Sequence, residues 1–104
     1  MNTLDLLPAA RVAALFASPL SVGRELTPAE VDRAIQESVR LYGGVRGCCA
    51  EMAAAYGDYP ESAVSRTRWA RRIVDTVYPP RARRLVRARR TAHRIAASHS
   101  PVAA

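Results

Sequence analysis

The residues best suited to binding chemistry are serines and arginines that follow residue 61. The serine hydroxyls can both donate and accept hydrogen bonds. The planar guanidinium groups of arginine bind phosphate oxygens through paired hydrogen bonds. We therefore take ten residues as candidates for binding a polyanion: Ser62, Ser65, Arg66, Arg68, Arg71, Arg72, Arg83, Arg87, Arg90 and Arg94.

Charge is divided unevenly along the chain. All 16 basic residues are arginine, and the net charge is +7. Residues 1–61 hold five arginines and eight acids, whereas residues 62–104 hold eleven arginines and one acid, Asp75. This split predicts that the second half meets nucleic acid or an anionic membrane surface. The alternative is an arginine-rich helix pair that is merely solvated. The absence of lysine carries little weight, because an excess of Ala and Arg is also typical of a GC-rich bacterial genome.

Other reactive residues form no catalytic or metal-binding pattern. His93 and His99 are six residues apart, which is not a metal-ligand spacing on one helical face. Cys48 and Cys49 are adjacent, so a disulfide between them would be strained, and we expect buried thiols in a reducing cytoplasm. The candidate serines have no nearby histidine, and no phosphate-binding or dinucleotide-binding loop occurs. We expect no enzyme activity, no cofactor and no metal.

Composition favours one small helical domain. A chain of 104 residues is too short for a second domain, and twenty alanines against one Phe and one Trp predict a helical core of small side chains. The N-terminus lacks the basic region of a secretory signal, and Asp5 and Pro8 interrupt its apolar stretch. We therefore expect a cytoplasmic protein with no membrane span.

Hydrophobic periodicity divides the chain into helices with short connections. Thr27, Pro28 and Glu30 form a capping-box signature at one helix start, and Gly43-Gly44 ends that helix. Helices are predicted over 9–17, 28–42, 45–56, 60–78 and 81–98. We interpret 1–26 as an N-terminal helix and connector, 27–78 as a three-helix core, and 79–104 as a basic C-terminal helix with a flexible tail.

The expected core faces follow from the same periodicity. The expected core-facing residues are Val12, Leu15 and Phe16; then Val31, Ile35, Val39 and Tyr42; then Val45, Cys48, Cys49, Met52, Ala53 and Tyr56; and finally Ala63, Thr67, Ala70, Ile73, Val74 and Val77. We expect Trp69 to pack at the core edge and Tyr59 to be exposed in a turn.

The spacing of Ala53, Gly57 and Val64 resembles the helix-turn-helix family of DNA-binding proteins, over residues 28–78. In that family a small residue lets the second helix approach, a glycine permits a left-handed turn, and an aliphatic side chain locks the two helices together. The resemblance implies that 49–57 is the supporting helix and turn, and that the recognition helix begins over 61–69. Val64 stands one residue later than in the tightest form of the motif, which implies a longer turn.

The expected fold is therefore all-α: a bundle of four to five helices with a central helix-turn-helix-like hairpin and an Arg-rich C-terminal helix. The resemblance implies a transcriptional regulator or accessory factor that contacts DNA phosphates and bases through 61–72, as a dimer if it is sequence-specific. The alternative is an adaptor whose Arg-rich helix docks on an acidic protein partner. A membrane partner is the weakest candidate, because bulky apolar residues are few in the basic region.

Overall fold

The computed structural model describes residues 2–79, and this part of the chain is all-helical. A 3-10 turn at Thr3–Asp5 precedes four helices: α1 (Pro8–Ala17), α2 (Pro28–Leu41), α3 (Val45–Asp58) and α4 (Pro60–Val77). The expectation of a small all-α bundle is confirmed. The helix predicted over 81–98 lies outside the described residues.

Both ends of α2 form as their local sequence requires. The Thr27 hydroxyl accepts from the Glu30 N–H at 3.1 Å, and the Glu30 carboxylate accepts from the Thr27 N–H at 3.2 Å, which completes the predicted capping box. At the other end, Gly43 and Gly44 have positive φ angles of 74° and 125°. This conformation lets the Gly44 N–H bond the Val39 carbonyl at 2.7 Å and closes the last turn of α2.

Helix α1 lies at the centre of the bundle, and the other three helices all pack against it. Its six consecutive residues Arg11–Phe16 are buried. Ala13 and Ala14 let neighbouring helices approach closely, and Leu15 is completely enclosed. The predicted burial of Val12, Leu15 and Phe16 is confirmed, but α1 is enclosed on more sides than its apolar stripe indicated.

The core-facing stripes of α2 and α4 are confirmed. Val31, Ile35 and Val39 are buried on α2, and Tyr42 packs against the core. On α4 four of the five buried residues recur every three or four positions, as one face of a helix requires, and the fifth is Trp69. The four residues of the stripe are Ala63, Thr67, Ala70 and Val74, with Ile73 and Val77 packed beside them.

The expected core face of α3 is partly wrong. Cys48 is completely buried, but Cys49 and Ala53 are exposed. Successive helical residues point about 100° apart, so a helix with Cys48 at the centre of its buried face turns Cys49 away from the core. Burial also raises the pKa of the Cys48 thiol, so the thiol stays protonated.

A polar cluster joins the N-terminal turn, α2 and the end of α4. The Asp32 carboxylate accepts from the hydroxyls of Thr3 and Tyr78, the latter at 2.6 Å, and from the Gln36 amide at 2.7 Å. The Arg11 guanidinium lies 4.5 Å from the centre of the Tyr78 ring. The bonds from Thr3 and Tyr78 lower the pKa of Asp32, and burial together with the Asp32 bond raises the pKa of Tyr78 to about 12.

Asp32→Asn should remove an acid-sensitive part of the stability while keeping the acceptor oxygen for Thr3 and Tyr78. The folded pKa of Asp32 lies below its unfolded value, so its contribution is present above the unfolded pKa and is lost as pH falls through the folded pKa. We expect the free energy of unfolding to fall less steeply in acid for the Asp32→Asn variant than for the parent protein. Urea denaturation from neutral to acid pH measures this, and parallel curves would contradict it.

Gly47→Ala should disturb the turn between α2 and α3. A Cβ at Gly47 would lie 1.8 Å from the Tyr42 carbonyl oxygen and 2.8 Å from its carbon, both of which are backbone atoms. We expect a loss of about 2–3 kcal/mol in the free energy of unfolding, which is typical of substitutions that overpack a closely packed site. Gly57→Ala is the control, because nothing lies within 4 Å of its added methyl group. Urea denaturation should show this control variant at least as stable as the parent protein.

Candidate nucleic-acid interface

The exposed side of α4 carries most of the candidate residues that the structure describes. Its buried stripe turns the opposite side of the helix to solvent. Five candidates are exposed there: Ser62, Ser65, Arg68, Arg71 and Arg72. We call these five residues the α4 outer face. Ser65, Arg68 and Arg72 follow one another at steps of three and four residues, so their side chains form one row along the helix.

The α4 outer face has little internal hydrogen bonding or charge pairing. Within residues 2–79 the only ion pair joins Arg24 to Glu30, and the three guanidinium groups of the face make no hydrogen bond to a described residue. Glu61 and Asp75 are exposed on the same side of α4, so the face is basic but not uniformly so. The guanidinium groups of Arg68, Arg71 and Arg72 are therefore exposed and can donate hydrogen bonds to an anionic ligand.

Arg66 is the exception among the candidates, because it turns inward. Its Nε donates to the Phe16 carbonyl at 2.7 Å, and its Nη2 donates to the Ser18 carbonyl at 2.6 Å. The guanidinium carbon lies 4.7 Å from the Trp69 ring centre and 5.7 Å from that of Phe16. The expectation that Arg66 reaches a ligand together with Arg68 is therefore corrected. Its position beside the buried stripe directs it to the end of α1.

The carbonyl groups at the end of α1 are the reason that an arginine is needed at position 66. The last carbonyls of a helix have no partner within the helix, and α1 ends against other protein elements. The Ser18 hydroxyl donates to the Leu15 carbonyl at 2.6 Å, and Arg66 supplies the donors for Phe16 and Ser18. Burial lowers the pKa of Arg66, but the two carbonyls and the two ring faces stabilise its charge.

The aromatic side chains are placed largely as expected. Trp69 is buried in the core, so its ring cannot stack on a base. Tyr56 stacks near Phe16, with ring centres 6.4 Å apart, and donates to the Thr67 hydroxyl at 2.7 Å. Tyr59, the single residue that joins α3 to α4, is 70% exposed, as predicted.

Helices α3 and α4 are joined by Tyr59 alone and pack against each other, and the three residues that carry the family resemblance are all exposed. Gly57 lies inside α3 and has no positive φ, so the turn is shorter than expected and is not left-handed there. Ala53 is exposed and Val64 is 38% exposed. The hydrogen bond from the Tyr56 hydroxyl to Thr67 joins the two helices, and Ala63 and Thr67 are buried on α4.

Four candidate arginines lie outside the described residues: Arg83, Arg87, Arg90 and Arg94. Within residues 2–79, no three His, Cys, Asp or Glu side chains come together as metal ligands. No helix in that range is both long and apolar enough to span a bilayer. A groove of about 670 Å³ beside the end of α2 has a mixed lining, with Arg33 and Arg40 flanking Glu37.

Comparisons of the chain with protein-family models, with curated proteins and with solved structures find no match. Two features of the chain therefore bear on its function. The first is the exposed arginines of the α4 outer face, which form no ion pair with a carboxylate of residues 2–79. The second is the uneven distribution of charge along the chain.

Arg66→Ala should cost about 2–3 kcal/mol in the free energy of unfolding, because charged hydrogen bonds and two ring contacts are lost at a half-buried site. Arg68→Ala is the matched control. It removes the same charge from the same helix at an exposed position, so a change within about 0.5 kcal/mol is expected. Urea denaturation of both variants measures the difference, and equal losses would show that Arg66 contributes no more than a surface arginine.

Proposed function

We propose that this protein binds DNA through the α4 outer face. Arg68, Arg71 and Arg72 would bind phosphate oxygens, and Ser62 and Ser65 would reach phosphates or base edges near the start of the helix. An α-helix that presents short polar and arginine side chains fits the major groove of duplex DNA. Such a protein would act as a transcriptional regulator or an accessory factor.

The observation that carries the proposal is the set of three exposed arginines without carboxylate partners among residues 2–79. Solvated guanidinium groups on one side of a rigid helix can neutralise several phosphates together, and the release of counterions then supplies affinity. The enclosed stripe of α4 fixes the direction in which this face points. Glu61 and Asp75 weaken the attraction, although an acidic side chain can also accept from cytosine.

The contact area of one such helix is small. A single module of this kind gives limited sequence discrimination, because each base pair that is read contributes only about 1–3 kcal/mol. Two copies bound to adjacent half-sites would double the contacts. Binding to random duplex DNA is therefore the first property to measure, and site selection is a separate question.

A second candidate function follows from the charge of the remaining residues. Residues 2–79 contain nine arginines and nine acids, so their formal charges balance. Residues 80–104 contain seven arginines and no acid. The adaptor alternative depends on this concentration of charge, because in it the C-terminal arginines would bind an acidic protein surface.

Replacing Arg68, Arg71 and Arg72 together with Ala should weaken binding to random duplex DNA. The slope of log Kd against log salt should also become shallower by roughly 2.7, since each lost phosphate contact contributes about 0.9. Fluorescence anisotropy of labelled DNA between ~50 and ~200 mM salt measures both quantities. The control replaces three exposed arginines on α2 and α3, namely Arg33, Arg40 and Arg46, and removes the same charge.

Equal effects of the two triple variants would contradict a specific role for α4. A larger effect from replacing Arg83, Arg87, Arg90 and Arg94 would place the DNA contact in the C-terminal region. Undetectable binding by the parent protein at the lower salt would remove the DNA proposal. Retention of one acidic protein by the parent chain after DNA digestion, and its loss with the four C-terminal replacements, would support the adaptor.

A further inference from the structure

One charged side chain, Arg66, links the first half of α4 to the end of α1. Helix α4 begins at Pro60 without a side-chain cap. Among residues 2–79, Arg66 makes the only side-chain hydrogen bonds between α4 and the end of α1. The first half of α4 is joined to α3 by a side-chain hydrogen bond of 2.7 Å, which the Tyr56 hydroxyl donates to the Thr67 hydroxyl.

Arg66 is also next to the serines of the α4 outer face. Ser62 stands one turn before it and Ser65 immediately precedes it. Both serines line the same shallow depression as Arg66, a volume of about 440 Å³ bounded also by Val22 and Glu61. A shift of the guanidinium would therefore move the surface that contains both hydroxyls.

We propose that Arg66 is a positioning residue for the α4 outer face. By binding the Phe16 and Ser18 carbonyls it holds the first two turns of α4 against α1, and so sets the direction of Ser62, Ser65 and Arg68. This role depends on the DNA-binding function proposed above, but Arg66 itself touches no DNA. Its guanidinium group makes its contacts within the protein, where it lies over the Trp69 ring.

The chemistry of the site distinguishes arginine from lysine. Two carbonyls are bound by two different nitrogens of one planar group, and the carbon of that group lies 4.7 Å from the centre of the Trp69 ring. A lysine ammonium is a compact point charge without this planar fork. Lysine at position 66 would keep the charge but could not reproduce the geometry. At exposed position 68, by contrast, lysine could still bind a phosphate.

The test compares Ala and Lys replacements at positions 66 and 68, with binding to random duplex DNA measured across the same salt range. The DNA affinity of all four variants is measured under conditions in which circular dichroism shows them folded. If Arg66→Ala unfolds, the comparison relies on Arg66→Lys. For Arg66→Ala and Arg66→Lys we expect roughly tenfold weaker binding, equal to about 1.4 kcal/mol, with the salt slope of the parent protein. For Arg68→Ala we expect a slope shallower by about 0.9, and for Arg68→Lys a restored slope.

Hydrogen exchange without DNA separates this proposal from the proposed function. The amides of residues 63–68 should exchange faster in Arg66→Lys than in the parent protein, while those of residues 70–77 should exchange at the parent rate. If the parent protein binds no DNA, the DNA function fails, and the exchange result alone decides whether Arg66 holds α4. Unchanged exchange, parent-like DNA affinity of folded Arg66→Lys, or a shallower slope for Arg66→Ala would each overturn the positioning role.

Discussion

The burial of α1 is the constraint on which the rest of the structure depends. Ala13, Ala14 and Leu15 are enclosed by three other helices, and this close packing requires small side chains at the centre of the bundle. A short helix in this position must also satisfy its terminal carbonyls inside the protein, because an unpartnered buried carbonyl is costly. The burial of α1 therefore determines which polar side chains the protein has to use internally.

Two arginines bind carbonyls of the segments that border α1. Arg11 lies in its first turns and donates to the carbonyls of Thr3 and Leu4 at 3.0 and 3.1 Å, which holds the N-terminal turn against the bundle. Arg66 serves the other end from α4. Each guanidinium also lies over an aromatic ring, so each charge has both hydrogen-bond acceptors and a polarisable surface. These arginines organise the fold, whereas those of the α4 outer face are left to solvent.

The arginines of the α4 outer face are available for a ligand because they are not used in the internal contacts that Arg11 and Arg66 make. The same helix contributes an enclosed stripe, one inward-turned arginine and three exposed arginines, and helical geometry keeps these three sets apart. The packing of α4 against α1 fixes the direction in which the helix presents its exposed side chains. This favours the proposed binding of duplex DNA, because little backbone freedom remains to be lost on binding.

The sequence by itself determined the helical class, the capping box of α2, the Gly43-Gly44 turn and the buried stripes of α2 and α4. These features depend on local spacing and backbone preference. It did not determine that α1 is central or that Asp32 joins the N-terminal turn to Tyr78, since those residues are far apart in the chain. Helical spacing places Arg66 beside the buried stripe of α4 and Arg68 on the far side of the helix. Only the tertiary structure brings the Phe16 and Ser18 carbonyls to Arg66, because they lie about 50 residues earlier in the chain.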